Sequence, residues 1–125
     1  MKMPCIYVAG PFRGRSQQAV TLNIECARRV GAIMALKGWS PMIPHSNTGG
    51  LEHVCDLPDE FWLAATLELM RRCDAVVLCP GWQHSTGTLA EIREAERLGI
   101  PIYYGESEVP PAEVWQAAND NARRA

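Results

Sequence analysis

Four short apolar runs alternate with longer stretches of helical spacing. The runs are Cys5 to Ala9, Trp39 to Ile43, Ala75 to Cys79, and Pro101 to Tyr104. Continuous apolar runs of this length, closed by Gly or Pro, predict strands covered on both faces. Between the first two, Gln18 to Lys37 carries Val20, Ile24, Ala27, Gly31 and Met34 on one face, with Glu25, Arg28, Arg29 and Lys37 elsewhere. That spacing predicts an amphipathic helix ended by Gly38. Asp59 to Arg72 reads as a second helix, with acids in its first turn, Arg71 and Arg72 in its last, and a core stripe of Trp62, Ala65 and Leu69. Thr88 to Gly99 is a third, with Thr88, Ile92, Ala95 and Gly99 inward and Arg93, Glu94 and Arg97 outward. Glu91 falls on the flank of that stripe, beside Leu98. Pro110-Pro111 opens a last helix through Val114, Trp115 and Ala118, and polar Asn119 to Ala125 is expected to fray.

Alternating strands and helices predict an α/β three-layer domain, flavodoxin-like or Rossmann-like, with a parallel sheet of four or five strands in the order 2-1-3-4. Right-handed crossovers follow. In that order the loops after the first and third strands meet at one crevice. The first loop is Gly10-Pro11-Phe12-Arg13-Gly14-Arg15. Its glycines would let a ligand approach the backbone, and its arginines can meet an anion. Its spacing fits neither a Walker A loop nor GxGxxG. The second runs through Ser85-Thr86-Gly87-Thr88 into a helix start. Free N–H groups and the helix dipole make such a place a natural anion site. Glu91 sits one turn further on, where Thr88-x-x-Glu91 also reads locally as a capping box.

Pro44 to Pro58 reads as an irregular loop, a candidate lid over the crevice. It holds His45, His53 and Cys55, but their spacing matches no metal motif, so neither metal nor other cofactor is expected. His45, just past the second strand, is a candidate site-facing group.

A length of 125 residues and an apolar fraction of 47% predict one globular domain over the whole chain. The net charge of −2 argues against a general nucleic-acid binder. Five cysteines with no CxxC pair suggest reduced thiols and a cytoplasmic protein. No apolar run reaches membrane-spanning length, and Pro4 and Pro11 bracket a short strand rather than a signal peptide's apolar helix.

Three pieces taken together, in this order and at these spacings, resemble the nucleoside 2-deoxyribosyltransferase superfamily. They are Tyr7-Val8-Ala9-Gly10-Pro11-Phe12-Arg13-Gly14, Cys73-Asp74-Ala75-Val76-Val77, and Ser85-Thr86-Gly87-x-x-x-Glu91 with Ala95 and Gly99-Ile100-Pro101. The resemblance spans residues 5 to about 104. It implies that Glu91 is a nucleophile that opens an N-glycosidic bond through a covalent glycosyl ester, and that Tyr7 orients it. Family members on free nucleosides carry an acid where this chain has Ser85. Serine there resembles the nucleoside 5′-monophosphate N-glycosidase branch. A phosphate would then sit on Ser85, Thr86 and Gly87, with Arg13 beside it. The resemblance also implies a homodimer or higher homo-oligomer.

One position departs from the pattern. The family's general acid, an Asp, is replaced by Thr66, and His45, Glu68 and His84 are the remaining candidates. Asp74 is expected to be structural. Two readings follow: an enzyme acting on a nucleoside monophosphate, or a non-catalytic nucleotide-binding module of the same fold. A flavodoxin-like redox role fits poorly, because the first loop lacks a Ser/Thr-rich phosphate cradle.

Overall fold

A computed structural model describes residues 3–124. Strands β1 (Cys5–Ala9), β2 (Ser40–Met42), β3 (Ala75–Leu78) and β4 (Ile102–Tyr103) form one parallel sheet in the order β2-β1-β3-β4. Tyr7 pairs with Met42 on one side and Val76 on the other, so β1 lies in the middle. Val77 pairs with Tyr103 at the far edge. Helices α1 (Gln17–Leu36), α2 (Pro44–Asn47), α3 (Asp59–Arg71), α4 (Thr86–Leu98) and α5 (Ala112–Arg124) complete the chain.

The two-residue period of a strand sorts the core into two faces. From β1, Ile6 and Val8 join Ala27, Val30 and Met34 of α1 under one face, with Trp39 and Val77. Tyr7 and Ala9 join Met70 of α3 and Ile92 and Ala95 of α4 under the other. This is the three-layer arrangement that the alternating runs predict. Asp74 ties the start of β3 to β1: its carboxylate accepts from Cys5 N at 2.8 Å, and its own N–H donates to Cys5 O at 2.8 Å.

Four local expectations need correction. Pro44–Pro58 is not wholly irregular, because Pro44 occupies the first position of the short α2 and Leu51–His53 forms a 3-10 turn. In α3 the stripe Trp62, Ala65, Leu69 is only half-buried, and Met70 is the residue that reaches the core. Gly99 is not on the inward stripe of α4. It is exposed in the left-handed region (φ 73°) and ends the helix. Asn119 to Arg124 stays helical rather than frayed, while Ala125 lies outside the described residues. That last helix is held by its start. Trp115 packs on Trp39 with ring centroids 5.1 Å apart, Trp39 Nε1 donates to Pro110 O at 2.9 Å, and Lys37 Nζ donates to Glu106 O at 2.8 Å and Val109 O at 2.6 Å.

All five cysteines are free thiols. Among the described residues no helix is long and apolar enough to cross a membrane.

Candidate functional site

Parallel strands send the ends of β1 and β3 to the same side, where this topology favours a crevice between the loops that follow. Tyr7, from the middle of β1, and Glu91, from α4, meet on the sheet face that α3 and α4 cover. The Tyr7 hydroxyl donates to Glu91 Oε2 across 84 positions of sequence. Tyr7 is fully buried and Glu91 is 7% exposed. The capping box is therefore not the fate of Glu91. The cap of α4 is Ser85, whose Oγ accepts from Thr88 N at 3.2 Å and from the Thr88 hydroxyl at 2.8 Å. The helix begins two residues earlier than its apolar stripe, because a β-region serine closes the first turn and pulls Thr86 and Gly87 into it.

Burial has a direct electrostatic effect here. Removing a carboxylate from water disfavours its charged form, and Glu91 is pushed up to about 7, against the opposing pull of the Tyr7 hydrogen bond. Tyr7 is pushed well above the ordinary phenol range, first by burial and then by the charge of Glu91. Tyr7 thus stays a neutral donor. Glu91 titrates in the neutral range, as a poised nucleophile or base does.

The start of α4 has the makings of an anion seat. Ser85 Oγ already accepts two hydrogen bonds, so its own proton is left to donate outward. The N–H groups of Thr86 and Gly87 belong to the first turn, which has no intrahelical acceptors. A Cβ built on Gly87 meets nothing within 4 Å, so open space lies over that turn.

The loop after β1 is used differently from what its composition suggests. Gly10 is needed for packing: a Cβ there would stand 2.5 Å from Cys79 Cβ. Gly14 is likewise closed by Ala19 Cβ at 2.5 Å. Neither glycine leaves its space to a ligand. Asn23 Nδ2 donates to Phe12 O at 3.1 Å and Arg13 O at 3.2 Å, pinning the loop to α1. His45 pins it from the other side. Its Nε2 lies 2.8 Å from Pro11 O and its ring meets Phe12 edge-on at 5.7 Å. A carbonyl can only accept, so Nε2 carries the proton, and burial lowers the His45 pKa and keeps the ring neutral. His45 is thus a support of the loop, with Nδ1 buried and unpaired among the described residues.

Arg13 does not point free into the crevice. Its guanidinium holds Asp59, at the first residue of α3, at 2.5 Å, with both side chains about three-quarters exposed (74% and 71%). Nothing in the sequence spacing links these two residues. Thr66 stands beside the Tyr7 hydroxyl and donates to Leu63 O at 3.0 Å. Glu68 is taken up by Arg71 and Arg72, and His84 is exposed on the 3-10 turn Trp82–His84. None of His45, Glu68 or His84 is brought to Glu91.

A cavity of about 420 Å³ opens where α1 faces the turns after β3 and β4, lined by Arg29, Val30, Trp82, Tyr104 and Glu106 among others. It contains neither Tyr7 nor Glu91. Position alone therefore does not mark it as the chemical site, and the buried Tyr7–Glu91 pair carries more weight. His53 and Cys55 are exposed, and among the described residues no group of three or more His, Cys, Asp or Glu could hold a metal ion.

Residues 4–105 match the model of a domain of unknown function, DUF7768. The chain belongs to that family. The matched span holds the whole sheet and every residue of the crevice named above. The DUF7768 chain is also similar in fold to the crystal structure of a conserved protein from Enterococcus faecalis, with a TM-score of 0.60 and 24% identity. That match covers 81% of this chain and 62% of the other, so the DUF7768 chain spans under two thirds of that protein's length. No curated protein matches it.

Proposed function

We propose that this DUF7768 chain is an enzyme of the nucleoside 2-deoxyribosyltransferase type that cleaves or transfers the N-glycosidic bond of a nucleoside 5′-monophosphate. The observation that carries the reading is the buried hydrogen bond from Tyr7 to Glu91, one turn along a helix whose start is open to an anion. Glu91 attacks the anomeric carbon from one face of the sugar. The C1′–N bond breaks and its electron pair leaves with the base, which takes a proton from solvent. Water, or a second base, then attacks the glycosyl ester and frees the carboxylate. Ser85, Thr86 and Gly87 bind the phosphate and so fix the sugar over Glu91. Homodimeric or higher assembly and residence in the cytoplasm belong to the same proposal, and exposed apolar side chains such as Val54, Leu57 and Phe61 are consistent with association.

Thr66 favours a second reading, a nucleotide-binding module without chemistry. A hydroxyl beside Tyr7 is a poor acid for a departing base. A panel of deoxyribo- and ribonucleoside 5′-monophosphates, assayed for released base, separates the two. Release that is abolished by Glu91→Gln, with binding retained, supports the enzyme. Binding without release from any member supports the module, and preference for free nucleosides over monophosphates contradicts the phosphate assignment.

A further inference from the structure

The cavity of about 420 Å³ beside α1 is separate from the Tyr7–Glu91 pair. It lies between Arg29 of α1, the turn after β3 and the turn after β4, and no described residue of α3 or α4 lines it. Its volume falls within the range of about 300–1,000 Å³ typical of small-ligand sites. Trp82 and Tyr104 form one wall, with ring centroids 5.5 Å apart and planes 60° apart. Tyr104 is 48% exposed and Trp82 is half-buried, so aromatic surface is open to a ligand. The turn after β4 is already fixed in place. Lys37 Nζ donates to Glu106 O, and Tyr104 N donates to Glu108 Oε1 at 3.3 Å. Within that turn Gly105 has extended backbone (φ −175°), which any residue can adopt. A Cβ built there meets nothing within 4 Å. Neither strain nor packing calls for a glycine at this point of the wall, and its missing side chain leaves the space open.

The charged groups of the cavity decide the sign of the ligand. Arg29 Nη1 meets Glu106 Oε1 at 3.3 Å. The Arg29 side chain is 57% exposed, and this pair uses one of the five N–H donors of a guanidinium. Glu106 is in the opposite position. Its Oε1 is taken by Arg29, and its Oε2 has no surface that a ligand could reach. The site can therefore donate through its base but has little to offer through its acid. That disfavours an ammonium ligand and favours a carboxylate or phosphate, whose oxygens match the fork of an arginine. Gln83 and Ser107 bring exposed polar side chains to the same rim. The Trp82–Tyr104 wall suits a flat ring. We propose that this cavity is a binding site for a small planar aromatic anion, its ring against Trp82 and Tyr104 and its charged group on Arg29. The site is independent of the glycosidase chemistry, since it uses neither Tyr7 nor Glu91 nor the start of α4.

Four probes separate ring from charge. Binding of 2-naphthoate, 2-naphthyl phosphate, 2-naphthamide and acetate to the unaltered chain is measured calorimetrically. At least one of the two aromatic anions should bind at about millimolar or tighter. The neutral amide and acetate should each bind at least about tenfold more weakly. Whichever aromatic anion binds better names the carboxylate or the phosphate as the natural charged group. Two variants place the binding. Arg29→Gln should weaken the aromatic anion about tenfold and leave the amide unchanged. Gly105→Leu fills the cavity and should abolish binding of every aromatic probe, with a melting curve to confirm that the chain is folded. A third measurement leaves the wall intact. The Trp82 indole N–H signal of the ¹⁵N-labelled chain, assigned through Trp82→Phe, should shift with the aromatic anion and stay still with acetate. Where Gly105→Leu does not fold, Arg29→Gln and the Trp82 signal decide. Absence of binding by both anions, equal binding of the amide, indifference to Arg29→Gln, or an unmoved Trp82 signal overturns the proposal.

Discussion

Tyr7 donates its hydroxyl proton to Glu91 from a ring that is itself wholly buried, so one hydrogen bond fixes the carboxylate and also limits how far burial raises its pKa. The two effects oppose each other, and burial is the larger. Glu91 therefore titrates at about 7. A nucleophilic carboxylate must be ionised, so base release should rise with pH through about 7 and then level off. Tyr7→Phe removes the contact that favours the charged form. Its rising limb should move to higher pH and its plateau should fall. A pH profile of base release for both proteins checks this, and a limb that stays in place would detach Tyr7 from the titration.

The same burial acts on stability. An unfolded glutamate loses its proton at about 4.5, while the folded Glu91 keeps it up to about 7. Between those values the folded state binds more protons than the unfolded one, so stability falls as pH rises through that window. Above it, the full penalty is on the order of 3 kcal/mol for a shift from 4.5 to about 7. Glu91→Gln can still accept from Tyr7 and carries no charge. It should raise the urea midpoint above the folded titration point and leave it little changed near pH 4.5.

Arg13 is engaged by Asp59 in an exposed ion pair. Solvent screens such pairs and leaves them weak, so an incoming phosphate could draw Arg13 away at small cost. Asp59→Asn removes the competitor. It should tighten nucleoside monophosphate binding by roughly two- to fivefold at low salt, with a smaller gain at high salt and almost no change in thermal midpoint. Calorimetry at two ionic strengths reads this directly, and weaker binding would assign Asp59 to the ligand instead.

Two glycines should respond in opposite ways. Gly10→Ala places a methyl 2.5 Å from Cys79 Cβ. Overpacking of that kind costs about 1–3 kcal/mol, so the thermal midpoint should drop and the β1 loop should shift. Gly87→Ala meets nothing within 4 Å, and alanine suits a helix better than glycine. Its stability should hold or rise slightly, while its new methyl intrudes on the anion seat and weakens phosphate binding. Melting curves together with phosphate titrations distinguish the pair.

Patterns with a short physical range were legible in the chain. The strand order followed from alternating apolar runs, and the buried face of α1 followed from the spacing of Ala27, Gly31 and Met34. The meeting of the β1 and β3 loops followed from topology. Contacts set by three-dimensional proximity alone were not legible. Gly10 and Gly14 look the same in sequence whether a ligand or a neighbouring side chain fills their space, and here Cys79 and Ala19 fill it. Arg13 had no visible partner because Asp59 lies on another element. The capping box at Thr88 failed because Ser85, three residues earlier, could cap the helix and leave Glu91 to turn inward. Trp62 read as core, since periodicity marks an apolar stripe without saying how deeply it is buried, and here the residue is half-buried. Asn23 carried one weak signal, a polar residue amid the apolar positions of α1, and its two bonds to the loop explain it.

Strand β1 precedes both of its neighbours in the chain, yet in the finished sheet it lies between β2 and β3. Glu91 is made 84 positions after the hydroxyl that will hold it. The whole stretch between them must be synthesised before those two groups can meet, and pairings this distant in sequence make for slow folding. A nascent chain interrupted before α4 would carry Tyr7 without its acceptor, so the pair can become competent only once α4 has been made.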